Sequence, residues 1–270
     1  MRVESMNILV IDVGGSHVKV LATGQNEERK FVSGPELTAQ QMVDGVKQIT
    51  HDWQYDAVSI GYPGPVLEGR PTAEPVNLGK GWESFDFAAA FGKPAKVIND
   101  AAMQALGSYE GGKMLFLGLG TGLGTAMVVA GRVYPMELGH LPYRKATFED
   151  YVGDRGLTRL GTKKWRRRVS DVTVKLLAGL QCEYAVLGGG NVRKLKDLPP
   201  GCRAGSNENA FTGGFRLWET APAADRGPPP TVPDGKTASA DHGSNGNPNH
   251  AEASHSEAVG AADSRPTSAK

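Results

Sequence analysis

The chain has 270 residues, 39% hydrophobic and 22% charged, with a formal net charge of +1. That balance suits a folded protein of one large or two modest domains and gives no support to a general role on nucleic acid or a membrane surface. Two cysteines, Cys182 and Cys202, exclude a disulfide framework and a four-ligand zinc cluster. No apolar stretch reaches spanning length, so a cytoplasmic protein is expected.

Ile8 to Ile11 is an unbroken run of strand formers, the pattern of a strand buried on both faces. It ends on Asp12 and Gly14-Gly15-Ser16, and an alternating run through Val18, Val20 and Ala22 follows. A third short strand is expected to end over Phe31 to Gly34. Thr38 can cap a helix to about Thr50, with Met42, Val43, Val46 and Ile49 on one face. Ala57 to Ile60 is a further buried strand, leading into a Gly- and Pro-rich loop through Trp82. Ser84 is expected to cap a short helix to Phe91. Ala95 to Ile98 reads as a strand ending on Asn99-Asp100, with a helix from Ala101 to about Tyr109.

After Glu110-Gly111-Gly112 the plan restarts. Met114 to Leu117 is a strand, Gly118 to Gly124 a glycine-rich turn, and Ala126 to Ala130 a returning strand, with a third near Arg132 to Tyr134. Helices are expected over 148–160 and 163–180, then a last strand over Tyr184 to Leu187 and a closing helix over Ala210 to Glu219. Two halves that each begin strand, glycine turn, strand look like an internal duplication, and the alternation of strands and helices makes the class α/β. From Thr220 to Lys270, Pro, Gly, Ser, Ala, Asp, Asn and His dominate; such a tail buries too little apolar surface to offset its ordering entropy and is expected to be disordered.

Five strand ends carry loops of one character: Asp12-Val-Gly-Gly-Ser, Gly61-Tyr-Pro-Gly64, Asn99-Asp100, Gly118 to Gly124 and Gly188-Gly189-Gly190. Ligands of open α/β sheets gather beyond the carboxyl ends of strands. Glycines let backbone N–H groups approach anionic oxygens, Ser16 can donate as well, and Asp12 can hold Mg²⁺. Each glycine piece alone also fits an ordinary hairpin turn. Gly120-Thr121-Gly122-Leu123-Gly124 is neither a Walker loop nor a dinucleotide fingerprint, because a strand follows it. Together with Gly14-Gly15 it offers two backbone clamps for one phosphate chain.

Asp100 stands where strand meets helix, where the helix N-terminus favours the ionised form that accepts a proton; Asn99 can orient the same substrate or simply cap the helix. Glu137-Leu-Gly-His140 supplies two groups that can grip neighbouring hydroxyls or form half of a metal site. The densest positive run, Lys163 to Arg168, reads as a solvated helical face, with a track for a long polyanion as the alternative should it border the cleft.

These motifs, in this order over about Asn7 to Glu219, resemble the ROK-family sugar kinases, in particular the polyphosphate glucokinase-like branch, whose Lys/Trp-rich helix start is similar to Lys163-Lys164-Trp165. The resemblance implies an actin-like, ribonuclease H-related pair of α/β domains around a cleft, with boundaries here at 6–109 and 110–219 and the tail at 220–270. It implies Asp100 as catalytic base, with Asn99, Glu137, His140, Gly64 and Asn77 on the sugar. It implies Asp12, Gly14, Gly15, Ser16 and Lys19, then Gly120, Thr121, Gly122 and Gly124, on the phosphoryl donor, with Mg²⁺ at Asp12, and Gly188, Gly189 and Gly190 beside the nucleoside when the donor is ATP.

Many members carry a cysteine-rich zinc motif after Glu-x-Gly-His, and Leu141 to Gly156 contain no Cys, so structural zinc is not expected and ordinary packing must hold this loop. Glu149 is a candidate for a further sugar ligand. The first strand begins within the first ten residues, so no DNA-reading domain is expected. The implied activity is transfer of a phosphoryl group to a hexose hydroxyl, O6 of glucose, from polyphosphate or ATP. The alternatives are an ATP-dependent kinase for fructose, mannose or an N-acetylated sugar, and a sugar sensor without turnover. The family is often dimeric, which puts a homodimer among the expected assemblies.

Overall fold

The computed structural model describes residues 6–206 and 208–219; the tail expected to be disordered lies outside that range. The first half runs β1 (Ile8–Val13), β2 (His17–Ala22), β3 (Arg29–Val32), α1 (Ala39–Ile49), β4 (Ala57–Tyr62), the two-residue strands β5 (Val66–Leu67) and β6 (Arg70–Pro71), α2 (Phe87–Phe91), β7 (Ala95–Asn99) and α3 (Asp100–Ser108). The second runs β8 (Lys113–Leu119), β9 (Leu123–Val129), β10 (Arg132–Met136), the short strands β11 (Pro142–Tyr143) and β12 (Ala146–Thr147), α4 (Phe148–Val152), α5 (Asp154–Leu180), β13 (Tyr184–Gly188), β14 (Cys202–Ala204) and α6 (Asn209–Arg216).

The duplication is visible in the sheets. Their orders, β3-β2-β1-β4-β7 and β10-β9-β8-β13-β14, match position for position. In both, the leading strand pairs antiparallel with the next and parallel with the strand after the first crossover. The apolar run of β1 is explained by two-sided burial: Leu9, Ile11 and Val13 enter one core with α1 and α2, while Ile8 and Val10 enter another with Met103, Ala210 and Phe211. β8 repeats the device, with Leu115, Leu117 and Leu119 facing α4 and α5, and Met114 and Phe116 facing Ala101, Ala102 and Ala105 of α3.

The central layer is therefore α3 and α6, and it is crossed. α3 lies between the sheets, packing on β8, β9 and β10 while its Met103 stays against the first sheet, and α6 packs on β1 and β4. The two helices touch through glycine: a Cβ at Gly107 would overlap the Asn209 carbonyl oxygen, and one at Gly213 the Met103 carbonyl oxygen. Arg216 Nη1 donates to the Leu106, Gly107 and Tyr109 carbonyls at 2.8, 3.2 and 3.0 Å, closing the C-terminus of α3. Ser59 Oγ donates to Gly214 O at 2.6 Å and accepts from Trp218 Nε1 at 2.8 Å, fixing α6 to the first sheet.

Several local expectations are corrected. Ser84 does not cap α2; it lies at φ 58°, and Asp86 accepts from Ala89 N at 2.9 Å instead. The third strand ends at Val32, within the range expected for it, with Val18 and Val20 of β2 opposite Phe31 and Arg29. The helix expected over 148–160 is cut at Gly153, where ψ is −174°. The gap expected at 161–162 is a break within α5, with Gly161 at φ 72° and ψ 157°. The closing helix ends at Arg216 rather than Glu219. β14 went unpredicted, since three residues after Pro199-Pro200-Gly201 carry no periodicity of their own.

The segment over 141–152 is held by packing. Tyr143 lies 5.2 Å from Phe148 and 5.1 Å from Tyr151, centroid to centroid, its hydroxyl donates to Asp171, and a capping box joins Thr147 to Asp150. In the basic run, Trp165 is buried with Nε1 donating to Val152 O at 2.7 Å, and Arg166 Nε donates to Lys194 O at 2.6 Å. Lys163, Lys164 and Arg167 are exposed.

Candidate active site

β1, β4 and β7 run parallel, as do β8, β13 and β14, so their carboxyl-end loops collect on one side of each sheet. They surround a cleft of about 510 Å³. Fourteen of the residues singled out from the sequence line it: Gly14, Gly15, Gly64, Asn77, Asn99, Asp100, Gly120, Thr121, Gly122, Gly124, Glu137, His140, Glu149 and Gly189. Asp12, Ser16, Lys19, Gly188 and Gly190 are not part of the lining. Nor is any residue of the basic run Lys163 to Arg168.

Asp100 opens α3, and its Oδ1 accepts from Ala101 N at 2.7 Å. That bond lowers its pKa, but burial against the walls of the cleft outweighs it, and the charge of Asp12 adds to the rise, so the carboxyl is pushed up to about 7. The expectation that the helix terminus would dominate is thus reversed: desolvation wins. Asp12 is likewise pushed up to about 6 by burial, against the pull of Lys19, its cross-strand partner. Lys19 Nζ also lies 3.8 Å from Glu28 Oε1, which divides its charge between two carboxylates.

Asn99 caps the helix and also braces a neighbouring loop. Its Oδ1 accepts from Ala102 N at 3.1 Å, capping α3, and its Nδ2 donates to Gly64 O at 3.1 Å, tying the Gly61-Tyr-Pro-Gly64 loop to the helix that carries Asp100. The glycine turns are hairpin turns and cleft walls at once. Gly14 N donates to His17 O at 3.0 Å, Gly120 N donates to Gly122 O at 3.3 Å, and both turns still face the cleft. A Cβ at Gly122 would come within 2.6 Å of Glu149 Oε2, so this glycine lets α4 close against the turn. Gly189 needs its glycine for conformation as well, at φ 83° with Leu119 O directly against it.

On the opposite wall, His140 sits between two carboxylates, with Nδ1 3.9 Å from Glu137 Oε2 and Nε2 3.9 Å from Glu149 Oε1. Glu149, an open candidate from the sequence, therefore joins Glu137 and His140 on one rim. Across from them the loop through Asn77 is closed at its neck by Glu74, whose carboxylate accepts from Gly81 N and Trp82 N at 3.0 Å each. Those backbone bonds hold the Glu74 carboxyl below its usual range.

Three contributors were missed. Glu74 looked like loop sequence, and only its bonds to backbone 81–82 give it a task. Asn191 is buried; its Nδ2 donates to Gly120 O at 3.3 Å and Asp154 Oδ1 at 2.7 Å, binding the loop after β13 to the second glycine turn. Arg155 lines the cleft from the first turn of α5. The signal for Arg155 was Gly153-Asp154, a helix start read as helix interior.

Comparison with known proteins identifies the fold and the family. The model of the ROK family matches residues 8–156. The chain is 25% identical over 216 residues to a polyphosphate glucokinase of Mycobacterium tuberculosis (strain CDC 1551 / Oshkosh), covering 70% of this chain and 80% of that one. It is 28% identical over 146 residues to a bifunctional enzyme NanE/NanK of Brucella melitensis, covering 48% of this chain and spanning only 28% of that relative. Its fold is shared with the inorganic polyphosphate/ATP-glucomannokinase of Arthrobacter sp. strain KM, with a TM-score of 0.64 at 22% identity over 78% of this chain and 97% of the other. By the family model, the paired sheets and the loops that meet at the cleft, the chain belongs to the ROK family.

Proposed function

We propose that the chain is a sugar kinase that transfers a phosphoryl group from polyphosphate or ATP to a hexose hydroxyl, O6 of glucose. The observation that carries this reading is the meeting, in one cleft, of a carboxyl poised near neutrality with two glycine turns and a rim of Glu137, His140 and Glu149. Asp100 takes the proton of the attacking hydroxyl as the new O–P bond forms, and the bond from phosphorus to the leaving phosphate breaks. Asn99 and Asn77 help to orient the sugar, and the turns at Gly14-Gly15 and Gly120 to Gly124 present N–H groups to the donor.

The residues suit a magnesium ion. No group of three metal-ligating side chains gathers among the described residues, but Mg²⁺ commonly takes one or two carboxylates and completes its shell with phosphate and water. Asp12, a crowded carboxylate, would hold it together with the donor, where the ion would neutralise phosphate charge.

The test is formation of sugar 6-phosphate by the purified chain with glucose and Mg²⁺, comparing ATP with long-chain polyphosphate. Product with either donor supports the reading and chooses the donor. No product from glucose, fructose, mannose or N-acetylated hexoses overturns it in favour of a sugar-binding protein without turnover. Among the described residues no helix is long and apolar enough to cross a membrane, so assay of the free protein is appropriate.

A smaller effect is expected at Glu74. Glu74→Gln weakens the neck of the Asn77 loop, and the KM for sugar should rise about tenfold while the donor KM holds. Equal KM values in the variant and the parent would remove Glu74 from the positioning of sugar.

A further inference from the structure

We propose that Arg155 binds the phosphoryl donor, taking the anionic oxygens of its outer phosphates. The inference rests on the kinase reading and adds a residue to it. Among the described residues, the lining of the cleft includes three carboxylates, Asp100, Glu137 and Glu149, and a single Lys or Arg, Arg155. A polyphosphate or nucleotide brings several negative charges into that space. The glycine turns offer dipoles but no formal charge, so the one guanidinium is the natural counter-charge, with a planar fork that matches phosphate oxygens.

Its placement favours the donor end. Asp154 N donates to Gly120 O at 3.0 Å and Thr121 O at 3.2 Å, which pins the start of α5, and Arg155 with it, to the second glycine turn. Its ion-pair partner is Asp150, at 3.4 Å, and the side chain is 79% exposed, so most of the guanidinium remains open to a ligand. Asp150 is anchored by Thr147, accepting from Thr147 N at 3.2 Å and Thr147 Oγ1 at 2.7 Å, and so can hold Arg155 at an angle without covering it. The neighbouring Arg159 is the contrast: Nη2 donates to Asp150 O at 2.8 Å, and the guanidinium lies 4.8 Å from the Tyr151 ring centroid. Arg159 is committed to the fold by two contacts, whereas Arg155 makes a single ion pair.

The experiment measures initial rates of the full chain and of Arg155→Ala and Arg155→Lys with varied donor and varied sugar, and the binding of inorganic tripolyphosphate by calorimetry. Arg155→Ala should raise the donor KM at least about tenfold, leave the sugar KM within about twofold, and weaken tripolyphosphate binding in parallel; Arg155→Lys should recover part of each. The donor KM of the alanine variant should also depend less steeply on salt, since one charge contact is gone. An unchanged donor KM with unchanged tripolyphosphate binding overturns the role of Arg155, as does a rise of both KM values together. Parent turnover separates the two levels: a silent parent on every donor and sugar sinks the kinase reading itself, whereas an active parent matched by Arg155→Ala sinks only this inference.

Discussion

Asp100→Asn should lower kcat by about 10²–10⁴ while leaving both KM values near those of the parent, the pattern expected when a base that acts only in the transition state is removed. The amide keeps the shape and can still accept from Ala101 N, so the start of α3 should survive. The parent's pH profile provides the companion result. With the Asp100 carboxyl pushed up to about 7, the rate should fall as the pH drops below about 7 and the base becomes protonated. Near-parent turnover in the asparagine variant would move the base elsewhere.

Linkage gives this site a second observable. A carboxyl raised above its unfolded value holds a proton in the folded chain that the unfolded chain has released. Between the unfolded value near 3.8 and about 7, the native state therefore binds more protons, and stability falls as the pH rises through that window. Asp12, raised to about 6, acts in the same direction over a narrower window. Asp100→Asn should consequently melt higher than the parent at pH 8 and lose that advantage towards pH 4, as followed by thermal denaturation without ligands. A lower melting temperature at pH 8 would mean that the carboxylate is better solvated than its surroundings imply.

Gly213→Ala, like Gly107→Ala, should be among the most damaging single methyl groups that can be added to the described chain outside the cleft. The new Cβ would overlap the Met103 carbonyl oxygen, a backbone atom that cannot rotate aside, so α3 and α6 would have to separate. A cost of about 3 kcal/mol, the upper part of the range for overpacking, is expected. For a chain of this size that corresponds to a fall of about 10 °C in melting temperature. Gly179→Ala is the control: nothing lies within 4 Å of its Cβ, and alanine is the better helix former, so a small gain is expected. Equal melting of parent and Gly213→Ala would show that the helices have room to spare.

Much of this architecture was legible because buried strands write themselves as apolar runs. Ile8 to Ile11, Ala57 to Ile60 and Met114 to Leu117 are each covered on both faces, and each was found. Glycine turns at strand ends were legible for a similar reason, since few residues allow backbone to lie so near a wall. The rest was hidden where the deciding partner lies far along the chain. β14 becomes a strand only because β13 accepts it, and Glu74 acquires meaning only from the N–H groups of residues 81–82. The Asp100 carboxyl was misjudged because sequence displays the helix that lowers its pKa but not the walls that raise it. Arg155 was overlooked because charge at a helix start is ordinary until that start is seen joined to Gly120.

The crossing of α3 and α6 carries one more consequence. The first half sends α3 against the second sheet while its Met103 stays on the first, and the second half sends α6 to the first sheet, so the arrangement is an exchange of arms fused into one polypeptide. Cut at the duplication point, the first half would leave Ala101, Ala102 and Ala105 facing water, and the second half would leave Phe211 without Ile8 and Val10. Two copies of a single half, trading that helix about a twofold axis, would bury equivalent surfaces, which is the assembly from which such a duplicated chain could be built without refolding its core.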